Sequence, residues 1–231
     1  MNTKTLKEDA IKKMVICAIF VAMSYVCVCV FRIKVSFLTL DIKDAVITIA
    51  AMILGPIVGV VVSVAVAFIE MFTISDTQFY GFIMNFLSSA TFAVVAASIY
   101  RIRRSLFGAI VSLVAAVLSV TAVMMLANLL ITPYYMGVDR SVVVDKIPTL
   151  LLPFNLTKAV LNSAIVMIIY KPITTALKRA KLIKRHESEG AKGYKLGKET
   201  VMITVSAAIV LTICLVIFFI VFKAQILNPF N

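Results

Sequence analysis

Apolar residues run along this chain in blocks of about twenty, separated by short polar segments. Hydropathy predicts helices at about 11–31, 45–54, 57–72, 80–100, 106–132, 149–172 and 200–222. Crossing about 30 Å of hydrocarbon at about 1.5 Å per residue takes about twenty residues. The second run is too short to cross unless its neighbours bury its ends. Between it and the third stands Gly55-Pro56, a turn signal that predicts a tight helical reversal inside one apolar stretch. Irregular backbone at that depth is tolerable only when packed against protein.

Composition agrees with the pattern. Of 231 residues 62% are hydrophobic and 15% charged, and the mean hydropathy is +1.07. A water-soluble fold of this size has too little interior for so much hydrocarbon. The expected class is an all-α polytopic membrane protein, with the lipid bilayer as its solvent. The net charge of +12 raises the question of nucleic acid, but the basic residues lie in short segments between apolar runs. Anionic lipid headgroups are the simpler partner, and no nucleic acid is expected.

Charge also sets the expected orientation. With the N-terminus in the cytoplasm, sixteen of the 23 Lys and Arg fall on the inner side: Lys4 to Lys13, Arg101 to Arg104, and Lys171 to Lys198. Reading 45–72 as one helix would move Arg101 to Arg104 outside, so the charge distribution supports the reversal. Lys4 to Lys13 before an apolar run superficially resemble a signal peptide. The run reaches Phe31 without an A-x-A site, so a retained first helix in the plasma membrane is expected.

The chain divides into a transmembrane domain over 1–180, a basic cytoplasmic linker over 181–199, and a further helix with a short outer tail over 200–231. Cys17, Cys27, Cys29 and Cys214 all fall in apolar runs without CxxC spacing and read as small hydrophobes. The sole histidine, His186, lies in the linker. No Ser–His pair, HExxH or paired intramembrane carboxylates accompany it. Gly193 to Glu199 loosely resemble a phosphate loop, but the glycines are one residue too close and Glu199 replaces Ser or Thr. No enzymatic activity, metal or cofactor is expected.

Candidate chemistry lies in the polar residues of the spans. Asn155 and Lys158, at i and i+3 of the sixth span, share a helix face. A lysine about nine residues deep costs at least about 2.5 kcal/mol on insertion scales, so a polar cavity is expected around it. The alternative is a structural pair with Asp41 or Glu70, or snorkelling. Pro153 deprives a carbonyl one turn earlier of its donor, which either opens the backbone to a ligand or kinks the helix. Asn128, near the outer end of the fifth span, presents an acceptor and donors to a flat heterocycle or an interhelical hydrogen bond. Asn85 is a further polar candidate at the start of the fourth span. Phe37, Leu38, Thr39 and Leu40 alternate in polarity toward Asp44, the expected cap of the second helix; they close over a ligand or rest on headgroups. Ala18 and Ala22 form a small-xxx-small pair permitting close helix approach.

Three of these stretches carry a resemblance: Leu40-Asp41-x-x-Asp44, Gly55-Pro56-x-x-Gly59, and Pro153-Phe154-Asn155-Leu156-x-Lys158. Over about residues 10–180 the chain resembles the S components of energy-coupling factor (ECF) transporters, in particular the riboflavin-specific branch. The resemblance implies a six-helix bundle, here with an extra C-terminal transmembrane helix, that binds its vitamin near the outer face. It implies a flavin held by Asn128, Asn155 and Lys158; Leu40 and Asn85 are further expected substrate-binding residues. The loop with Phe37, Leu38 and Thr39 would gate it, and Ala18 and Ala22 would dock on a transmembrane coupling subunit served by two ATPase subunits. The chain departs from that pattern at Lys43, where a small polar residue is usual, at Ala159, where glycine is usual, and in its seventh span. The readings set beside riboflavin capture are an S component for another vitamin and a structural or assembly membrane protein.

Overall fold

The structure, a computed structural model, describes residues 3–179 and 198–227. Its helices are α1 (Thr3–Val30), α2 (Lys43–Leu54), α3 (Pro56–Thr73), α4 (Gln78–Ile102), α5 (Leu106–Met136), α6 (Arg140–Lys146), α7 (Leu152–Arg179) and α8 (Lys198–Leu227). A π-helical turn over Ile147–Leu151 joins α6 to α7. Among the described residues six stretches are long and apolar enough to cross a membrane, and α2 is not one of them. Much of the expected linker, with His186 and the glycines of 193–197, lies outside the described residues.

The second helix is short because it is central. Ten of its twelve residues are buried, walled by α1, α3, α4 and α7. A helix apolar on all sides needs such a position. The reversal after it is real: α2 ends at Leu54, Gly55 takes φ 117°, and Pro56 starts α3. That backbone geometry suits glycine, and proline is pre-set for a first helical turn. A side chain on Gly59 would bring its Cβ to 2.8 Å from Ala51 Cβ and 3.2 Å from Ala93 Cβ, so its absence sets the spacing of α2, α3 and α4.

The reversal also sorts the ends of the bundle. Gly55 lies beside Arg101, and the hydroxyls of Tyr100 and Tyr170 are 3.2 Å apart. These residues share one end. At the other end the start of α2 meets the last turns of α3 and the first turns of α4. The basic clusters around Arg101 and Lys171 thus gather away from the polar residues described below.

One element departs from an all-helical expectation. The 32–44 loop is a hairpin of β1 (Arg32–Val35) and β2 (Leu38–Asp41), pairing Arg32 with Asp41 and Val35 with Leu38. Ser36, at φ 53°, occupies its tight turn. Alternation in 37–44 carried the strand period, but the turn has neither glycine nor asparagine to announce it. Asp44 is not the cap of α2. The N-cap position is Ile42, with no side-chain cap; Asp44 lies inside the first turn and accepts from Ser89 Oγ.

Candidate functional site

The cap of α2 comes instead from across the bundle. Asn162 Oδ1 accepts from the Ala45 backbone N–H at 2.8 Å, one of the donors a helix start leaves unpaired. Its Nδ2 donates to the carbonyls of Asp41 and Lys158, each at 3.0 Å. One amide thus locks the end of the hairpin, the start of α2 and the middle of α7 together.

Around that joint lies a buried network of charges. Lys158 Nζ is 2.8 Å from Asp41 Oδ2 and 3.8 Å from Asp44 Oδ2, with the Thr39 carbonyl at 3.4 Å. Lys43 Nζ donates to both oxygens of Glu70, at 2.8 and 2.6 Å, and lies 3.9 Å from Asp41. Asn85 Nδ2 donates to the same carboxylate at 2.8 Å. Three acidic side chains and two basic ones meet here, so the acids outnumber the bases by one. Asp41 Oδ1 is buried with no hydrogen-bond partner. Ions taken out of water each cost several kcal/mol unless paired in this way.

The network is one wall of a cavity of about 120 Å³. Asp41, Lys43, Glu70, Asn85, Asn128, Asn155 and Lys158 line it, together with Phe37, Leu38 and Thr39 of the hairpin. Asn155 donates Nδ2 to the Leu151 carbonyl at 2.8 Å. Asn128 is tied within its own helix, donating to the Met124 carbonyl and accepting from Thr132 Oγ1. Over the cavity Tyr135 meets Phe37 and Tyr80, with ring centroids 6.1 and 6.0 Å apart. At its mouth Asp76 faces Arg32 and Lys34. The hydrogen bond from Lys34 holds the Asp76 carboxyl below the usual range, slight burial opposing it.

Most of the residues singled out in the sequence therefore converge: Asn85, Asn128, Asn155, Lys158, Phe37, Leu38 and Thr39 border one space. Leu40 does not. It is fully buried in an apolar cluster with Val35, Leu150, Phe154, Phe218 and Phe222, because in the hairpin it points to the face opposite Thr39 and Asp41. Ala18 and Ala22 are exposed on α1, away from the cavity. Pro153 acts on backbone geometry. With no N–H at 153 the helix start switches to π spacing, the Leu152 N–H bonding the Ile147 carbonyl.

Lys43, Glu70 and Asn162 were not among the expected site residues. Asn162 was legible, since Asn155, Lys158 and Asn162 follow at 3 and 4 on one helix face. The Lys43–Glu70 pair spans 27 positions and two helices, which no local spacing reveals.

Comparison with known proteins agrees with this geometry. The family described as ECF transporter, substrate-specific component, matches residues 12–170. The riboflavin transporter RibU of Staphylococcus aureus (strain TCH60) is 27% identical over 150 residues, 62% of this chain and 78% of that protein. A solved chain described as the S component of a bacterial ECF transporter superposes with a TM-score of 0.62 at 26% identity, covering 73% of this chain and 98% of its own. The chain belongs to the substrate-specific, or S, components of ECF transporters.

Proposed function

We propose that this S component captures riboflavin or a related flavin at the outer side of the plasma membrane, with its N-terminus in the cytoplasm. It delivers the flavin inward with a transmembrane coupling subunit and two ATPase subunits. Flavin is the transported ligand and not a cofactor of catalysis. One observation carries the reading: Lys158, Asn155 and Asn128 border the same cavity, under aromatic rings of the hairpin and α5. A flavin offers ring carbonyls to an ammonium and to amide donors, and a flat face to aromatic side chains. The RibU likeness points to the same ligand.

Lys158 is clasped by Asp41, the pairing that a structural role would also produce. The cavity beside the pair favours the ligand role, because a purely structural ion pair gains nothing from a polar void. At about 120 Å³ that space falls short of the roughly 300–1,000 Å³ of sites for drug-sized ligands. Admission of a flavin therefore requires side chains that border the space to move apart.

Titration of riboflavin with the purified protein at micromolar concentration tests the proposal. Quenched flavin fluorescence and a yellow protein are expected; a colourless protein without quenching overturns it. One feature favours a second reading, an S component for another vitamin. Lys43 and Glu70 present a charged pair to the cavity, a polarity that a ligand other than a flavin would also use. Thermal shifts with flavins, thiamine, biotin and pantothenate separate the readings, since a true ligand raises the melting temperature by mass action.

A further inference from the structure

Helix α8 lies beyond the residues matched by the family, 12–170, yet it touches the part of the fold that bounds the cavity. Most of its apolar surface is open: Val216, Ile217, Phe219, Ile220 and Val221 are between 49% and 71% exposed. Phe218 and Phe222, one turn apart, are 0% and 1% exposed. Their rings lie 6.3 and 6.0 Å from that of Phe154, and 5.0 Å from each other. The same cluster holds Val35 and Leu40, and Phe37 and Leu38 pack on it.

Two routes lead from this cluster to the cavity. Phe154 lines the cavity itself and precedes Asn155 in α7. Phe37, Leu38 and Thr39 line it from the hairpin. That hairpin has two strands of four residues, and an isolated two-stranded ribbon is marginally stable at best. It needs a surface to lie on, and α8 supplies part of one.

We propose that α8 is a clasp for the hairpin. In it Phe218 and Phe222 are positioning residues that act through Phe154, Val35 and Leu40 to set how long a guest stays in the cavity. Neither phenylalanine borders the cavity, so their influence is on its cover and not on ligand chemistry. The statement about guests rests on the proposed flavin reading; the statement about the hairpin does not.

The test uses the full-length protein in lipid nanodiscs, with the variants Phe218→Ala/Phe222→Ala, Phe222→Leu and, as a control on an exposed position, Ile220→Ala. Backbone hydrogen exchange over residues 32–41 is read first, because it needs no ligand. The double variant is expected to exchange there at least about tenfold faster, with α2 to α4 amides unchanged. Phe222→Leu should fall between it and the parent, and Ile220→Ala should match the parent. Riboflavin kinetics are read second: release should quicken at least about tenfold while association stays within about twofold. Unchanged hairpin exchange in both phenylalanine variants overturns the clasp, as does an increase spread evenly over the whole protein. If the parent binds no flavin, the flavin reading fails and the exchange measurement still decides the clasp.

Discussion

Lys158 is held by a partner that cannot do without it. Removing the ammonium alone leaves Asp41 buried beside a second acid, Asp44, and breaking one side of a buried pair typically costs about 3–5 kcal/mol. Lys158→Met should therefore unfold at markedly lower temperature, whereas Lys158→Met/Asp41→Asn, which removes both charges, should recover most of that loss. Flavin titration of the recovered double variant then tests the ligand role of the Lys158–Asp41 pair: no quenching is expected from a protein that melts nearly as the parent does. Asp76 contrasts with this. Its side chain is 67% exposed, and exposed ion pairs contribute at most about 1 kcal/mol. Asp76→Asn should leave the melting temperature almost unmoved, and a drop like that of Lys158→Met would show that the hairpin depends on its outer tether. The depth of Lys158 was legible in the sequence because an intramembrane charge stands out against hydrocarbon. Its clasp was legible only as a choice between Asp41 and Glu70, because Asp41 and Lys158 are 117 positions apart and no local spacing selects one.

At the level of elements, the start of α2 depends on a side chain from α7. Asn162→Leu removes the acceptor for the Ala45 N–H and the donor to the Asp41 carbonyl. Each buried backbone group left unpaired costs about 1–3 kcal/mol, so a loss of about 2–5 kcal/mol is expected by thermal unfolding. Asn162→Asp should separate the two halves, keeping the acceptor and losing the donor. At the other end of α2 the close approach to α3 rests on Gly59. Gly59→Ala puts two Cβ atoms 2.8 Å apart, and overpacking of this kind costs about 1–3 kcal/mol. Ala51→Gly removes the opposing Cβ, so the pair should be more stable than Gly59→Ala alone; a pair no better than the single variant would place the strain elsewhere. The reversal at Gly55-Pro56 was readable because both residues have steric reasons to be there. The cap was not, since a helix start that lacks its own capping side chain gives no sign of where the substitute comes from.

The molecule as a whole separates its tasks by end and by face. The polar cavity sits at the hairpin end, the basic clusters around Arg101 and Lys171 sit at the other, and α1 is divided along its length. Ile16, Phe20, Ser24 and Val28 turn inward at four-residue spacing, while Val15, Ala18, Ile19, Ala22 and Val26 are exposed. An apolar exposed stripe is ordinary for a helix in lipid, but small residues one turn apart allow another helix to come close. Because Ala18 and Ala22 touch neither the cavity nor the core, a bulky side chain there has room in the isolated subunit and meets resistance only from a docked partner. Ala22→Trp should thus keep the melting temperature and the flavin titration of the parent within about twofold. Uptake by cells that supply the coupling and ATPase subunits should fall at least about tenfold. If uptake persists with ligand capture intact, the coupling subunit docks on another face. The surface left open beside α8 is then the next to probe, because α8 covers one side of α7 and the hairpin.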